Sequence, residues 1–205
     1  MNTPEIFIAK VIRSINRVIR AASTCGGYVC GKYVRDVLVP KHHGLSVNDW
    51  PNIVNLRFDD DESYQTFLHS VQEPLVVDST GLTPWNEVEY RMAYYLSEDH
   101  TMDIIVTISE TALVKDVDVN QLIARIGEDN EATFESTHPE LSAIELQKKI
   151  LSKQVHIPEV AYEEARKDQV VMERLHKAIL NYIANGWTVD ESANNGTIER
   201  PLEEA

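Results

Sequence analysis

Basic residues are scarce in this chain: 19 Lys and Arg stand against 33 Asp and Glu, a formal net charge of −14 over 205 residues. Affinity for DNA or RNA rests mainly on cationic side chains that neutralise phosphates, so this balance argues against bulk nucleic-acid binding. Cysteine is scarcer still. Cys25 and Cys30 are the only two, too few for a disulfide framework or a zinc cluster, and they read as small thiols in a reducing compartment. No run of about 18 apolar residues occurs, so no membrane span is expected. The opening Met1-Asn2-Thr3-Pro4-Glu5 has no basic stretch ahead of an apolar one. That predicts no secretory leader and a cytoplasmic location. A Gly-x-Ser-x-Gly elbow, a Walker loop and a His-Glu-x-x-His helix are all missing.

What is present is ordinary for a globular chain, 43% hydrophobic and 25% charged, and long enough for one domain or one domain with a helical appendage. Ile8, Val11, Ile12, Ile15, Val18 and Ile19 recur at three-four spacing and predict a helix over 4–22, with Thr3 as N-cap and Pro4 as its first residue. Gly26-Gly27 marks a turn. Strands are expected at 28–30, 54–58 and 75–77, and 88–96 with 102–108 should form an antiparallel hairpin. Asp59-Asp60-Asp61 reads as the start of a helix whose apolar face is Tyr64, Phe67, Leu68 and Val71. Pro40-Lys41-His42-His43-Gly44 reads as a loop, and 117–126 as helical at least from Asn120. Helical periodicity returns over 140–153 and 158–185, Asn185-Gly186 is a stop, and Trp187-Thr188-Val189 is a candidate short strand. The order implies an α+β fold: a core over 1–126 built on a small mixed sheet, C-terminal helices over 127–190, and an acidic tail over 191–205.

The most informative stretch is Tyr28-Val29-Cys30-Gly31-Lys32-Tyr33-Val34-Arg35-Asp36-Val37-Leu38. A short β run enters a glycine turn, and a helix carrying Arg-Asp leaves it. Glycine lets backbone approach a ligand, and a helix N-terminus aims N–H groups at an anion such as a triphosphate. This segment resembles the head of the nucleotidyltransferase superfamily, in particular the CCA-adding and poly(A) polymerase group, which reads roughly Gly-Gly-x-Val-Arg-Asp-x-Leu-Leu. Lys32 stands at the second glycine. The resemblance continues in order along the chain. Asp103 in Met102-Asp103-Ile104-Ile105-Val106 suits the family's third aspartate. Asp116-Val117-Asp118-Val119-Asn120-Gln121-Leu122 is similar to a box of stand-alone viral members, and Arg174-Leu175-His176-Lys177 with Asn185-Gly186-Trp187 is similar to their ending.

Such a family transfers a nucleoside monophosphate with two Mg²⁺ ions, which need two carboxylates one residue apart on a strand and a third opposite. That Asp-x-Asp pair is broken here. One register uses Asn48-Asp49-Trp50-Pro51 and keeps Asp49, with Pro51 in the partner place; the other aligns Ile53-Val54-Asn55-Leu56 and keeps neither acid. The resemblance therefore implies Asp49 and Asp103 as catalytic and metal residues if Mg²⁺ chemistry survives. It implies Gly31, Lys32, Arg35 and Asp36 as nucleotide-binding residues. Each has a plainer reading: Lys32 solvated in a tightened turn, Arg35 and Asp36 bracing each other, Asp103 a strand-edge acid. Asp59 and Asp61 have the right spacing but follow the strand. His42-His43 suits a surface pair more than a metal site; Tyr90, Tyr94 and Tyr95 suit two faces of a strand more than base stacking. Asp116, Asp118 and Asn120 suit a helix cap more than a Ca²⁺ loop, and Arg174 with Lys177 a solvated helix face. The expected function is a catalytically degenerate member, a pseudoenzyme that binds an NTP or a protein partner. The alternatives are an active Mg²⁺-dependent nucleotidyltransferase acting on a hydroxyl acceptor, and a structural or assembly subunit such as a viral one.

Overall fold

The computed structural model describes residues 4–47, 53–71, 75–82, 88–97, 100–108, 122–138 and 140–189. Helix α1 (Pro4–Thr24) forms as its periodicity requires, with Val11, Ile12, Ile15, Val18, Ile19 and Ala22 all buried along one stripe. Gly26, at φ +87°, ends it. The next residue is held close to the core. A Cβ on Gly27 would come within 2.5 Å of the Phe58 ring, so only glycine lets the chain lie against that buried side chain.

Strands β1 (Tyr28–Cys30), β2 (Ile53–Phe58), β3 (Leu75–Leu82), β4 (Val88–Ser97), β5 (His100–Ile108), β6 (Leu122–Ile126) and β7 (Ala132–Ser136) make one seven-stranded sheet in the order β3-β4-β5-β2-β1-β6-β7. β2 and β5 run parallel, and every other neighbouring pair is antiparallel. Alternation along the strands sorts two faces. Val29, Val54, Leu56, Phe58, Ile104 and Val106 enter the main core under α1 and α3 (Asp61–Ser70). Tyr28, Cys30 and Ile123 form a small separate cluster on the other face. The α+β class is thus as expected, including the β4–β5 hairpin and the acidic start of α3, where Asp60 accepts from the Ser63 N–H at 2.7 Å.

Three local expectations are corrected. Residues 122–126 are a strand, not a helix, because Leu-Ile-Ala-Arg-Ile is mostly buried on both faces between β1 and β7; periodicity cannot assign such a run. Asp116, Asp118 and Asn120 lie outside the described residues. β7, which no sequence signal suggested, carries the sheet past residue 126. And Pro40 is not in a loop: residues 32–42 are helical, with Val34–Leu38 wound as a π turn and Val39–His42 as helix α2. The Val39 N–H reaches Val34 O, five residues back. Pro40 has no N–H to return to Asp36 and its ring crowds the preceding turn, and a widened turn makes room for it.

Beyond the sheet, α4 (Ala143–Leu151) starts on a reciprocal Ser142–Glu145 capping box and sends Leu146 and Ile150 into the main core. β8 (Gln154–Val155), α5 (Glu159–Ala165), α6 (Gln169–Ala184) and β9 (Thr188–Val189) follow. They surround a second apolar cluster of Val155, Ile157, Tyr162, Ala165, Leu175, Ile179 and Tyr182. The helical run 158–185 is broken before Asp168, whose carboxylate caps α6 through the Val170 N–H at 2.8 Å. Gly186, at φ +78°, stops α6 and lets Trp187 fold back, its N–H on Tyr182 O at 3.0 Å. β9 then pairs parallel with β8. Trp187 packs against both apolar clusters.

Candidate functional site

β1 is registered on β2 by Tyr28↔Arg57, Val29↔Leu56 and Cys30↔Asn55, and the chain then leaves the sheet at Gly31, φ +70°. On the other side of β2, β5 enters with Ile53↔Asp103 and Asn55↔Ile105. Gly31 and Asp103 therefore flank the same end of β2, roughly 10 Å apart by two interstrand spacings. Residues paired across parallel strands share a face. Ile53 and Asp103 thus point to one side, with Asn55 and Cys30 beside them on the face away from the main core. Asp103 is exposed and Asn55 half-buried.

On β2, Ile53 pairs with Asp103, and Asn55 follows on the same face. Asp49 lies outside the described residues. Asp59 and Asp61 follow β2 and flank the Asp60 cap of α3. Among the described residues, no group of three or more His, Cys, Asp or Glu could hold a metal ion. His42 packs edge-on to Phe134 at 5.1 Å, and His43 Nε2 shares a hydrogen bond with Gln147 Oε1 at 3.0 Å. Both histidines thus have structural contacts.

The glycine turn is tied to its helix by the Arg35 N–H on Gly31 O at 3.1 Å, and Lys32 is exposed at the start of that helix. Arg35 and Asp36 brace each other. The guanidinium takes Asp36 in bidentate fashion, Nε on Oδ1 and Nη2 on Oδ2 at 2.7 Å, while Nη1 donates to Tyr182 Oη at 3.1 Å. It also stacks over the Tyr182 and Trp187 rings, 5.3 and 5.4 Å from their centroids. Burial disfavours the arginine's charge, but the bonds to Asp36 and Tyr182 outweigh it and raise its pKa. Two residues earlier, Tyr33 donates to the buried Asn16 of α1 at 3.0 Å.

Sequence reasoning missed two arginines, which lie by Tyr28 at the end of β1 away from Gly31, and one residue at the turn itself. Arg57, only 3% exposed, lies between Tyr28 and Thr107 across the sheet. Arg125 stands 5.4 Å over the Tyr28 ring, and burial pushes the Tyr28 hydroxyl up to about 12. Strand alternation along Asn55-Leu56-Arg57 was the available signal. Tyr182 was missed too, although it extends the stripe Leu175–Ile179 at helical spacing. Arg174 and Lys177 are exposed on α6, as a solvated face requires. A hollow of about 560 Å³ between the end of α1 and the β6–β7 turn, lined by Ser23, Arg125, Glu128 and Thr133 among others, lies at the opposite end of the sheet.

A short strand, a glycine turn and a helix, leading to a strand that pairs parallel with a later aspartate-bearing one, is the arrangement that the resemblance implies. Solved structures of CCA-adding enzymes have a similar fold. A CCA-adding enzyme in complex with CTP matches with a TM-score of 0.52 at 11% identity, over 89% of this chain and 41% of that one. The Thermotoga maritima CCA-adding enzyme complexed with tRNA matches with a TM-score of 0.50 at 12% identity, over 90% of this chain and 40% of that one. The chain thus spans about two fifths of the length of these enzymes, and the likeness is one of fold. No protein-family model and no curated protein matches the sequence. No helix among the described residues is long and apolar enough to cross a membrane.

Proposed function

We propose that this protein is a nucleotidyltransferase-fold chain that has lost metal catalysis and binds a nucleoside triphosphate at the Gly31 turn. One observation carries the reading: Ile53 pairs with Asp103, and Asn55 follows it on the same face of β2, where the chemistry needs carboxylates. Among the described residues Asp103 has no second carboxylate beside it on β2, and one carboxylate does not hold two divalent ions. What remains is suited to phosphate: a glycine at positive φ, the N–H groups of the helix behind it, and the Lys32 ammonium at its start. Arg35 and Asp36 serve this site from behind, by holding the turn. A protein partner is the other ligand class that a degenerate member could take.

The test is incubation with each labelled NTP plus Mg²⁺ or Mn²⁺, together with calorimetry and thermal shift in the absence of metal. The expected result is no pyrophosphate release but a binding heat. Ligand at about a hundredfold over its Kd should stabilise by about 2.7 kcal/mol, or roughly 5–10 °C in Tm. Pyrophosphate release abolished by Asp103→Ala establishes the active enzyme instead. No heat and no shift with any nucleotide leaves the protein-partner or assembly role.

A further inference from the structure

We infer that the C-terminal unit built from β8, α5, α6 and β9 sets the state of the Gly31 turn through Arg35, so that nucleotide affinity depends on how Trp187 and Tyr182 are seated. The inference rests on the nucleotide reading of the turn, but its mechanical half can be measured without any ligand.

Arg35 is a positioning residue in this arrangement. Its backbone N–H holds Gly31 O, so moving Arg35 moves the turn. Its side chain is spent on three groups: Asp36 in its own helix, and Tyr182 and Trp187 of the C-terminal unit. The two rings also meet edge-on at 5.2 Å, and the guanidinium lies across both. Trp187 is held there by the backbone of α6 and by Gly186, and it touches the main core and the C-terminal cluster alike. The helix on the other side of the contact is the segment with the widened turn at Val34–Leu38. A π turn departs from the α-helical ladder, and such turns recur at functional sites. An arginine tied by its side chain to the C-terminal unit and by its N–H to Gly31 O is a coupling element: what loosens Trp187 loosens Arg35, and what loosens Arg35 is felt at the turn.

Three variants decide it: Trp187→Leu, Trp187→Phe and Tyr182→Phe, each compared with wild type by amide hydrogen exchange and by calorimetric titration with ATP. Trp187→Leu removes an aromatic face worth about 1.4 kcal/mol to a desolvated guanidinium, or tenfold. Exchange over residues 33–39 should rise about tenfold, with β2 and β5 unchanged, and ATP should bind about tenfold more weakly. Trp187→Phe, which keeps an aromatic face, should restore both; simple packing would be served as well by Leu. Unchanged exchange at 33–39 in Trp187→Leu overturns the coupling, and so does faster exchange with unaltered ATP affinity. If wild type takes up no ATP, the nucleotide reading fails, and control of affinity fails with it; faster exchange would then establish only the mechanical link. If Trp187→Leu does not fold, Tyr182→Phe, which deletes only the hydroxyl that Arg35 holds, should still speed exchange at 33–39 about threefold; no change there overturns the inference.

Discussion

His138 should make the protein acid-sensitive over a defined pH range. The ring is 7% exposed. Its Nδ1 accepts from the Glu140 and Leu141 N–H groups, each at 3.0 Å. An imidazole that accepts there cannot also be protonated there. Burial first, then the nearby His156 ring at 5.0 Å and Lys149, lower its pKa from 6.5 to about 4. The unfolded chain therefore takes up a proton near pH 6.5 that the native chain refuses until about pH 4. Stability is thus full above the unfolded value and falls as pH drops through this interval. Between about pH 7.5 and about pH 5 the loss works out at about 2 kcal/mol, or roughly 4–8 °C in Tm for a chain of this size. The measurement is urea unfolding at both pH values for wild type and His138→Asn. Asparagine can place an amide oxygen near Nδ1 and does not titrate. The variant should lose about 2 kcal/mol less than wild type on acidification. Equal losses in the two proteins would refute the assignment, whatever the variant's stability at neutral pH.

Three further substitutions test the packing argument by thermal or urea denaturation. Gly27→Ala drives a Cβ into the Phe58 ring, which is already packed by Tyr64 and Phe67, and should cost about 1–3 kcal/mol; a neutral result would mean that the ring can yield. Tyr33→Phe leaves the buried Asn16 without its donor and should cost about 1–3 kcal/mol with no change in fold. Gly186→Ala meets no neighbouring atom within 4 Å, so its cost is conformational only, about 1 kcal/mol from φ +78°. It should also raise exchange around Trp187.

Much of the architecture was legible because the decisive residues act locally. The apolar stripe of α1, the acids opening α3, and Gly186 ending α6 each declare an element without help from the rest of the chain. The failures were of another kind. Residues 122–126 look helical or extended according to what flanks them, and only β1 and β7 on either side decide. Pro40 breaks helices unless the turn before it widens, which no local rule foretells. At the site, the strand–Gly31–helix order and the placing of Asp103 on a strand beside β2 were readable. The partner of Arg35 was not: Tyr182 is 147 residues away, and its side chain reads simply as core.

The brevity of β1 has a mechanical meaning. Four strands, β3-β4-β5-β2, form one panel and two, β6-β7, another, and a ribbon of only three residues stitches them together. α1 is the splint over that seam, resting on β6 on one side and on α3 on the other. The bend at Gly31 is where the stitching ends, so the joint between the panels is no longer than those three residues.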